Sequence, residues 1–263
     1  MIIFITGISS GFGLETARLL AQKGHVVYGT VRRDVTPLPD VHYLRLDVRD
    51  KNAVFAAVSQ VIDNEGYIDV LINNAGIGIG GPLELASEEE VRLQMDTNFM
   101  GLVNCVDAVL PLMRKQKHGK IIALSSIGGL MGLPFQGFYS ASKFAIEGYC
   151  EALRMEVKPF GIKVIAVRPG DFSTGFTGSR KKIADDMADI YPQYLNAIGK
   201  AEHDEYNGLK PNVLAQKINK IIKKKNPRNG YVVATFEQHL SVLLKRILPS
   251  KLFASIIASY YKM

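Results

Sequence analysis

The N-terminal stretch restricts the fold more than any other part of the chain. The β-type run Ile2–Thr6 leads directly into the glycine-rich segment Gly7–Gly13, and residues 14–23 then follow helical spacing up to Gly24. Glycines let the backbone turn tightly and approach a pyrophosphate, to which the following helix presents its free N–H groups. A strand, a glycine turn and a helix in this order predict a dinucleotide-binding unit of an α/β fold.

Further strand-like runs alternate with helical patterns along the rest of the chain. They are residues 25–30, 41–46, 68–73, 119–125, 163–168 and 231–235. Short apolar runs separated by helices are typical of a parallel sheet that is covered on both faces. Because the 263 residues contain no linker-like or repetitive segment, the chain is predicted to form one doubly wound Rossmann-type domain, residues 1–263, that binds NAD(P).

Composition argues against several other classes of protein. The two cysteines, Cys105 and Cys150, lie in segments with helical patterns, which indicates neither a disulfide framework nor a metal site and fits a reducing compartment. Apolar runs stay short of the roughly 18 residues of a membrane-spanning helix, and the strand at Ile2 argues against a secretory signal. A cytoplasmic protein, soluble or peripheral to a membrane, is therefore expected.

Positive charge is concentrated at the C-terminal end. Residues 209–263 hold eleven Lys/Arg and one acid, a local charge of +10 within a total of +7, which leaves −3 for residues 1–208. Nucleic-acid binding would require basic residues interleaved with aromatic platforms or a known reading motif, and neither is visible. We therefore expect no nucleic-acid partner.

Two side chains four residues apart, Tyr139 and Lys143, suggest a proton-transfer site. On a helix they share one face, and an ammonium beside a phenol stabilises the phenolate and lowers the pKa of the phenol. Ser126, at the end of the preceding buried strand, would hold a carbonyl or carbinol oxygen in the same cleft. Such a set would move the proton of a carbonyl/alcohol redox reaction whose hydride requires a nicotinamide cofactor. An ordinary amphipathic helix face is the alternative.

The second strand ends in residues that bear on the choice of cofactor. Thr30 stands where an acid would hold the 2′-hydroxyl of the adenosine ribose, and Arg32 and Arg33 follow it. Because arginine suits a 2′-phosphate, NADP(H) is favoured over NAD(H), with Ser9 as a further phosphate contact. Solvated loop charges are the alternative. Asp47 would accept from the adenine amino group or cap the following helix.

Three further segments have open interpretations. Asn98 lies within an apolar-striped helix and, judged on its own pattern, is expected to be exposed. Residues 171–207 carry little pattern and are expected to form a substrate lid. The C-terminal extension 236–263 is amphipathic and basic, so it would lie on an anionic membrane surface, pack on the domain, cover the substrate cleft or form a subunit interface.

Seven motifs in one order resemble those of the short-chain dehydrogenase/reductase superfamily in its compact single-domain form. They are Thr6-Gly7-x-x-x-Gly11-x-Gly13, Asp47-Val48, Asn73-Asn74-Ala75-Gly76, Asn98, Ser126, Tyr139-x-x-x-Lys143 and Pro169-Gly170. The resemblance implies a parallel sheet of strand order 3-2-1-4-5-6-7 and a homodimer or homotetramer. It also implies that Tyr139 is the acid/base, Lys143 lowers its pKa and binds the nicotinamide ribose, Ser126 orients the substrate oxygen, and Asn98 holds a water in the proton relay.

The same resemblance implies the rest of the site. The cofactor would be lined by Gly7, Ser9, Ser10, Gly11, Phe12, Gly13, Arg32, Arg33, Asp47, Val48, Asn74, Ala75, Gly76, Tyr139, Lys143, Pro169, Gly170 and Thr174, and no metal is expected. Together with the tail, Phe135, Phe138 and Phe172 favour a lipophilic ketone or alcohol, as in family members that act on steroids, retinoids or acyl-dihydroxyacetone phosphate. A non-catalytic nucleotide sensor or scaffold of the same fold is the alternative.

Overall fold

A parallel sheet of seven strands forms the centre of the molecule, for which a computed structural model describes residues 1–183 and 190–263. In chain order the strands are β1 (Ile2–Ile5), β2 (Val26–Val31), β3 (Val41–Arg45), β4 (Val70–Asn73), β5 (Ile79–Gly80), β6 (Gly119–Leu124), β7 (Ile162–Pro169), β8 (Lys181–Lys182) and β9 (Gly230–Val233). The central sheet has the order β3-β2-β1-β4-β6-β7-β9. The expected fold class is confirmed, and the order differs from the expected numbering because β5 and β8 form a separate small sheet.

Helices cover both faces of the sheet. They are α1 (Gly11–Gln22), α2 (Lys51–Glu65), α3 (Glu88–Met95), α4 (Gly101–Gln116), α5 (Gly137–Val157), α6 (Gly175–Gly178), α7 (Tyr194–Tyr206), α8 (Pro211–Ile222), α9 (Phe236–Ile247) and α10 (Ser250–Tyr260). Successive side chains of β1 serve opposite faces, as the alternation of a strand requires. Ile2 and Phe4 pack with α2, α4 and α5, whereas Ile3 and Ile5 pack with α1 and α8.

A π-helical turn, Asp96–Met100, joins α3 to α4. It inserts an i→i+5 turn into what the sequence presents as one long helix. Asn98 lies inside this turn and is 2% exposed, so the expectation of an exposed Asn98, drawn from the helical pattern alone, is wrong.

The expected lid segment has more structure than its pattern suggests. It contains α6, the strand β8, which pairs with β5, and the helix α7. Arg180 is buried there and forms an ion pair with Glu205. Residues 184–189 of the expected lid lie outside the described part of the chain.

The C-terminal extension folds into α9 and α10. Val242 and Phe253 are buried from these helices into a small cluster with Ile127 and Met131, close to the end of β6. The extension therefore packs on the domain, which was one of the four alternatives. Among the described residues, we find no helix with the length and apolar character needed to cross a membrane.

Candidate active site

The carboxyl ends of the sheet strands border a cleft of about 560 Å³, within the range of small-molecule sites. The residues expected at the cofactor and the reaction centre line it as follows: Gly7, Ser9, Ser10, Gly11, Phe12, Arg32, Arg33, Asp47, Val48, Asn74, Ala75, Gly76, Ser126, Tyr139, Lys143, Pro169, Gly170 and Thr174. Gly13 and Asn98 lie behind the lining and act on it through neighbouring residues.

Two positions of the glycine turn, Gly7 and Gly13, accommodate only glycine. Gly7 has φ +72°, and a Cβ on Gly13 would lie 2.2 Å from the carbonyl oxygen of Gly7. The side chain of Asn74 fixes the turn, because its Nδ2 donates to the carbonyl oxygens of Thr6 and Gly7, at 2.8 Å each. This cradle, at the N-terminus of α1, fits the pyrophosphate of a dinucleotide.

At the end of β2, the hydroxyl of Thr30 is buried and accepts from the backbone N of Gly7 at 3.0 Å, so Thr30 supports the glycine turn. Arg32 and Arg33 are exposed and line the cleft beyond it. Within the part of the chain that the structure describes, neither guanidinium is within salt-bridge distance of a carboxylate. Both are available to an anionic group in the cleft.

Asp47 lines the cleft while its carboxylate is held by Arg49, whose Nη2 lies 2.7 Å away. This hydrogen bond lowers the pKa of Asp47, so the residue is a carboxylate. Of the two alternatives for Asp47, capping of the next helix is wrong. The N-cap of α2 is Asp50, which accepts from the backbone N of Ala53 at 3.0 Å.

The three residues of the reaction centre meet at the end of β6. The hydroxyl of Ser126 lies beside the phenol of Tyr139 and lowers its pKa, and it accepts from the backbone N of Gly128 at 3.0 Å. Lys143 lies one helical turn beyond Tyr139, with its Nζ 5.6 Å from the centroid of the tyrosine ring. The ammonium donates to the carbonyl oxygen of Leu124 at 2.8 Å, which fixes its position at the strand end.

Burial controls the protonation of this pair. It raises the pKa of Tyr139 to about 12, and the nearby hydroxyl of Ser126 offsets only part of that effect. It also lowers the pKa of Lys143 to about 8. At neutral pH the phenol of Tyr139 is therefore protonated, and a lowering of its pKa by Lys143 stays a prediction.

Asn98 reaches the site through a loop and a neighbouring helix. Its Oδ1 accepts from the backbone N of Ile77 at 2.8 Å, and its Nδ2 donates to Ser142 Oγ at 3.0 Å. A Cβ on Gly76 would lie 3.2 Å from Asn98 Oδ1 and 3.8 Å from Lys143 Nζ. Asn98 therefore fixes the loop after β4 against the helix that carries Tyr139 and Lys143.

The cleft lining also includes residues that were not predicted individually, although four of them lie in the predicted lid and Tyr261 lies in the C-terminal extension. They are Leu133, Gln136, Asp171, Phe176, Thr177, Glu205 and Tyr261. Asp171 was detectable, because it directly follows Pro169-Gly170, but Tyr261 gave no local signal. Of the phenylalanines expected near the substrate, Phe172 lines the cleft, whereas Phe135 packs on Tyr194 with ring centroids 5.1 Å apart.

The two carboxyl groups among these residues differ in their partners. Glu205 accepts from Thr177 Oγ1 at 2.6 Å and pairs with Arg180, so its charge is compensated. Asp171 accepts from the amide of Gln238 at 2.6 Å. Burial, and then the charge of Glu205, raise the pKa of Asp171 to about 7. A cationic group in the cleft would compensate this carboxylate.

Comparisons with known proteins agree with the geometry. Residues 1–184 match the family model described as short chain dehydrogenase. The chain is 50% identical over 262 residues to a 3-ketodihydrosphingosine reductase of Bacteroides thetaiotaomicron, covering 99% of this chain and 97% of the relative. It is 39% identical over 204 residues to human 17-beta-hydroxysteroid dehydrogenase type 1, covering 70% and 62%. The crystal structure of a short-chain dehydrogenase from Streptomyces avermitilis superposes with a TM-score of 0.83 at 29% identity, covering 99% and 96%.

Proposed function

Because the chain belongs to the short-chain dehydrogenase/reductase superfamily of oxidoreductases, we propose that it reduces a lipophilic ketone with NADPH. The observation that carries the proposal is that Ser126 lies beside a partly buried, protonated Tyr139 in a cleft that also holds Lys143. A phenol that keeps its proton at neutral pH is suited to donate it, which favours the direction of reduction.

The proposed proton step uses three side chains. Ser126 Oγ donates a hydrogen bond to the ketone oxygen, and Tyr139 Oη transfers its proton to that oxygen as charge develops there. The ammonium of Lys143 stabilises the phenolate that remains, because opposite charges interact strongly in a buried site. When bound, the reduced nicotinamide supplies the hydride for the carbonyl carbon. Asn98 is proposed as a positioning residue, because its side chain bonds to Ile77 and Ser142.

The preference for NADP(H) is part of the proposal. Arg32 and Arg33 line the end of the cleft next to β2, and the exposed hydroxyls of Ser9 and Ser10 lie in the glycine turn opposite. Two guanidinium groups and two hydroxyls match the charge and hydrogen-bonding needs of a 2′-phosphate. Thr30 accepts a hydrogen bond from the glycine turn and has no carboxylate that could bind the free 2′-hydroxyl of NAD(H).

We propose a long-chain ketone with a primary amine near the carbonyl as the substrate. The relative from Bacteroides thetaiotaomicron is named for 3-ketodihydrosphingosine, a compound of this type. Leu133 and Phe176 offer apolar surface in the cleft, and the ring of Phe176 lies 5.8 Å from that of Tyr139. Asp171 would pair with the ammonium, because Gln238 gives it a hydrogen bond but no compensating charge.

The assembly and location of the protein are proposed in the same way. We propose a homodimer or homotetramer, supported by the exposure of Phe144 and Met155 on the long helix α5. A cytoplasmic location is supported by the two unpaired, buried cysteines, Cys105 and Cys150. We also propose that residues 1–263 act as one NAD(P)-binding domain in which residues 171–207 serve as the substrate lid.

The test is NADPH consumption with a panel of an amino ketone of the sphingoid type, a steroid ketone and a polar ketose. We expect turnover of the first, and a decrease in kcat of about 10²–10⁴ in Tyr139→Phe with NADPH binding retained. Tyr149→Phe is the matched control, since Tyr149 lies on the same helix and packs on Phe99. Turnover of the ketose alone, or full activity of Tyr139→Phe, would contradict the proposal.

A further inference from the structure

The two C-terminal helices expose a second apolar face, which we call the outer face. It consists of Phe236, Leu240, Leu243 and Ile247 on α9 and of Leu252, Ile256 and Tyr260 on α10, with exposed fractions between 40% and 80%. Spacings of three and four residues place each set on one side of its helix. The outer face is therefore a stripe on each helix and not a scatter of single apolar residues.

Parts of the same helices are already packed. Val242, on the other side of α9, is buried with Ile127 and Met131, and so is Phe253, which lies beside the exposed stripe of α10. A surface helix normally turns a polar side to the solvent once its apolar side is buried. α9 is therefore apolar on two sides, and the apolar side of α10 extends beyond its buried part, which leaves the outer face open to another occupant.

Both helices are anchored to the rest of the molecule close to the cleft. Near the start of α9, Gln238 donates to Asp171 at 2.6 Å. At the end of α10, the hydroxyl of Tyr260 donates to Asp204 at 2.7 Å, and the ammonium of Lys200 lies 4.4 Å from the centroid of its ring. The folded protein therefore presents the outer face in a fixed orientation relative to the cleft.

Cations border the outer face. Arg246 precedes Ile247 and Lys251 precedes Leu252, and one residue corresponds to about 100° around a helix. Both basic residues are exposed, so they flank the apolar stripes. Glu237 is the single acid among residues 209–263, whose net charge is +10. Basic residues along the edge of an apolar stripe match a layer of anionic headgroups above acyl chains.

We propose that the outer face docks on the surface of an anionic lipid bilayer. A second copy of the chain fits less well, because a two-fold contact through this face would bring Arg246 and Lys251 of both copies together. Tyr261 lines the cleft, and the residue before it, Tyr260, ends the outer face. If the substrate is the long-chain ketone proposed above, docking places the cleft beside the lipid that contains it; the docking itself does not depend on that function.

The proposal can be tested by flotation of the full chain, without substrate, on phosphatidylcholine vesicles with and without phosphatidylglycerol. We expect binding to vesicles that contain phosphatidylglycerol and weaker binding at high salt. Leu243→Ser/Ile247→Ser is expected to lower the vesicle affinity at least about tenfold, because two aliphatic side chains lose their burial in lipid. Arg246→Gln/Lys251→Gln is expected to reduce the preference for the anionic vesicles.

Two controls separate docking from general effects. Phe55→Ser removes an exposed apolar side chain from α2, and Lys115→Gln/Lys158→Gln removes two exposed cations elsewhere; both should leave vesicle binding unchanged. Equal binding of parent and outer-face variants, or loss of self-association instead of vesicle binding, would overturn the proposal. Failure of the ketone assay would leave the flotation result unaffected, so the two proposals fail independently.

Discussion

Lys143→Met tests whether the buried positive charge of Lys143 destabilises the folded protein. Lys143 is 6% exposed, and burial lowers its pKa from 10.5 to about 8. This difference between the two pKa values corresponds to about 3 kcal/mol of folding free energy that is lost at pH 7 by holding the ammonium in place. Methionine fills similar space without charge but loses the hydrogen bond to Leu124, which is worth about 1 kcal/mol. We expect Lys143→Met to raise the free energy of unfolding by about 2 kcal/mol at pH 7.

The pH dependence of that difference checks its cause. Since the folded-state pKa is lower than the unfolded-state pKa, the penalty is complete well below pH 8 and fades as the pH rises between about 8 and 10.5. The stability advantage of Lys143→Met is thus expected to shrink by about 1 kcal/mol between pH 7 and pH 9. Urea unfolding of both proteins at the two pH values measures this change. A less stable variant, or a difference that does not change with pH, would refute the reasoning.

Three further changes address the rest of the cleft. Gly13→Ala should weaken NADPH binding, measured by fluorescence titration, at least about a hundredfold, because the new Cβ would meet Gly7 O at 2.2 Å; Gly148→Ala, with open space around it on α5, is the control. Arg32→Asp should move the ratio of kcat/KM values from NADPH toward NADH, and an unchanged ratio would clear Arg32 of contact with the phosphate. Asp171→Asn should lower kcat/KM for the amino ketone at least about tenfold more than for a neutral ketone, since it removes the charge but keeps an acceptor for Gln238. In the parent, KM for the amino ketone should fall as the pH rises through about 7, where Asp171 becomes a carboxylate; equal losses for both ketones would leave Asp171 with a structural role.

Local patterns were sufficient to predict the sheet and most of the cleft lining. The glycine turn, the loop after β4 and the Ser126, Tyr139 and Lys143 set each lie at the end of a strand or on the first turns of a helix. Because the ends of parallel strands meet at one edge of a sheet, the fold brings these segments together without information from distant residues. The spacing of Tyr139 and Lys143 likewise follows from helix geometry.

Properties that depend on distant residues were not predictable. The π-helical turn at Asp96–Met100 changes the direction of Asn98, and a pattern based on 3.6 residues per turn does not reveal it. The raised pKa of Tyr139 comes mainly from desolvation of its hydroxyl, which is set by the whole fold. The pairing of Asp171 with Gln238 joins residues 67 positions apart, so neither segment alone indicates it.

The same Gln238 limits how this chain can be redesigned. A Cβ on Gly170 would lie 2.1 Å from Gln238 Oε1, and that oxygen also accepts from the backbone N of Thr235 at 3.2 Å. The wall of the cleft at Gly170 and the first turn of α9 are thus packed closely against each other through Gln238. A chimera that exchanges the final helices for those of another protein must exchange the loop at residues 170–171 as well, because either half would collide with a foreign counterpart.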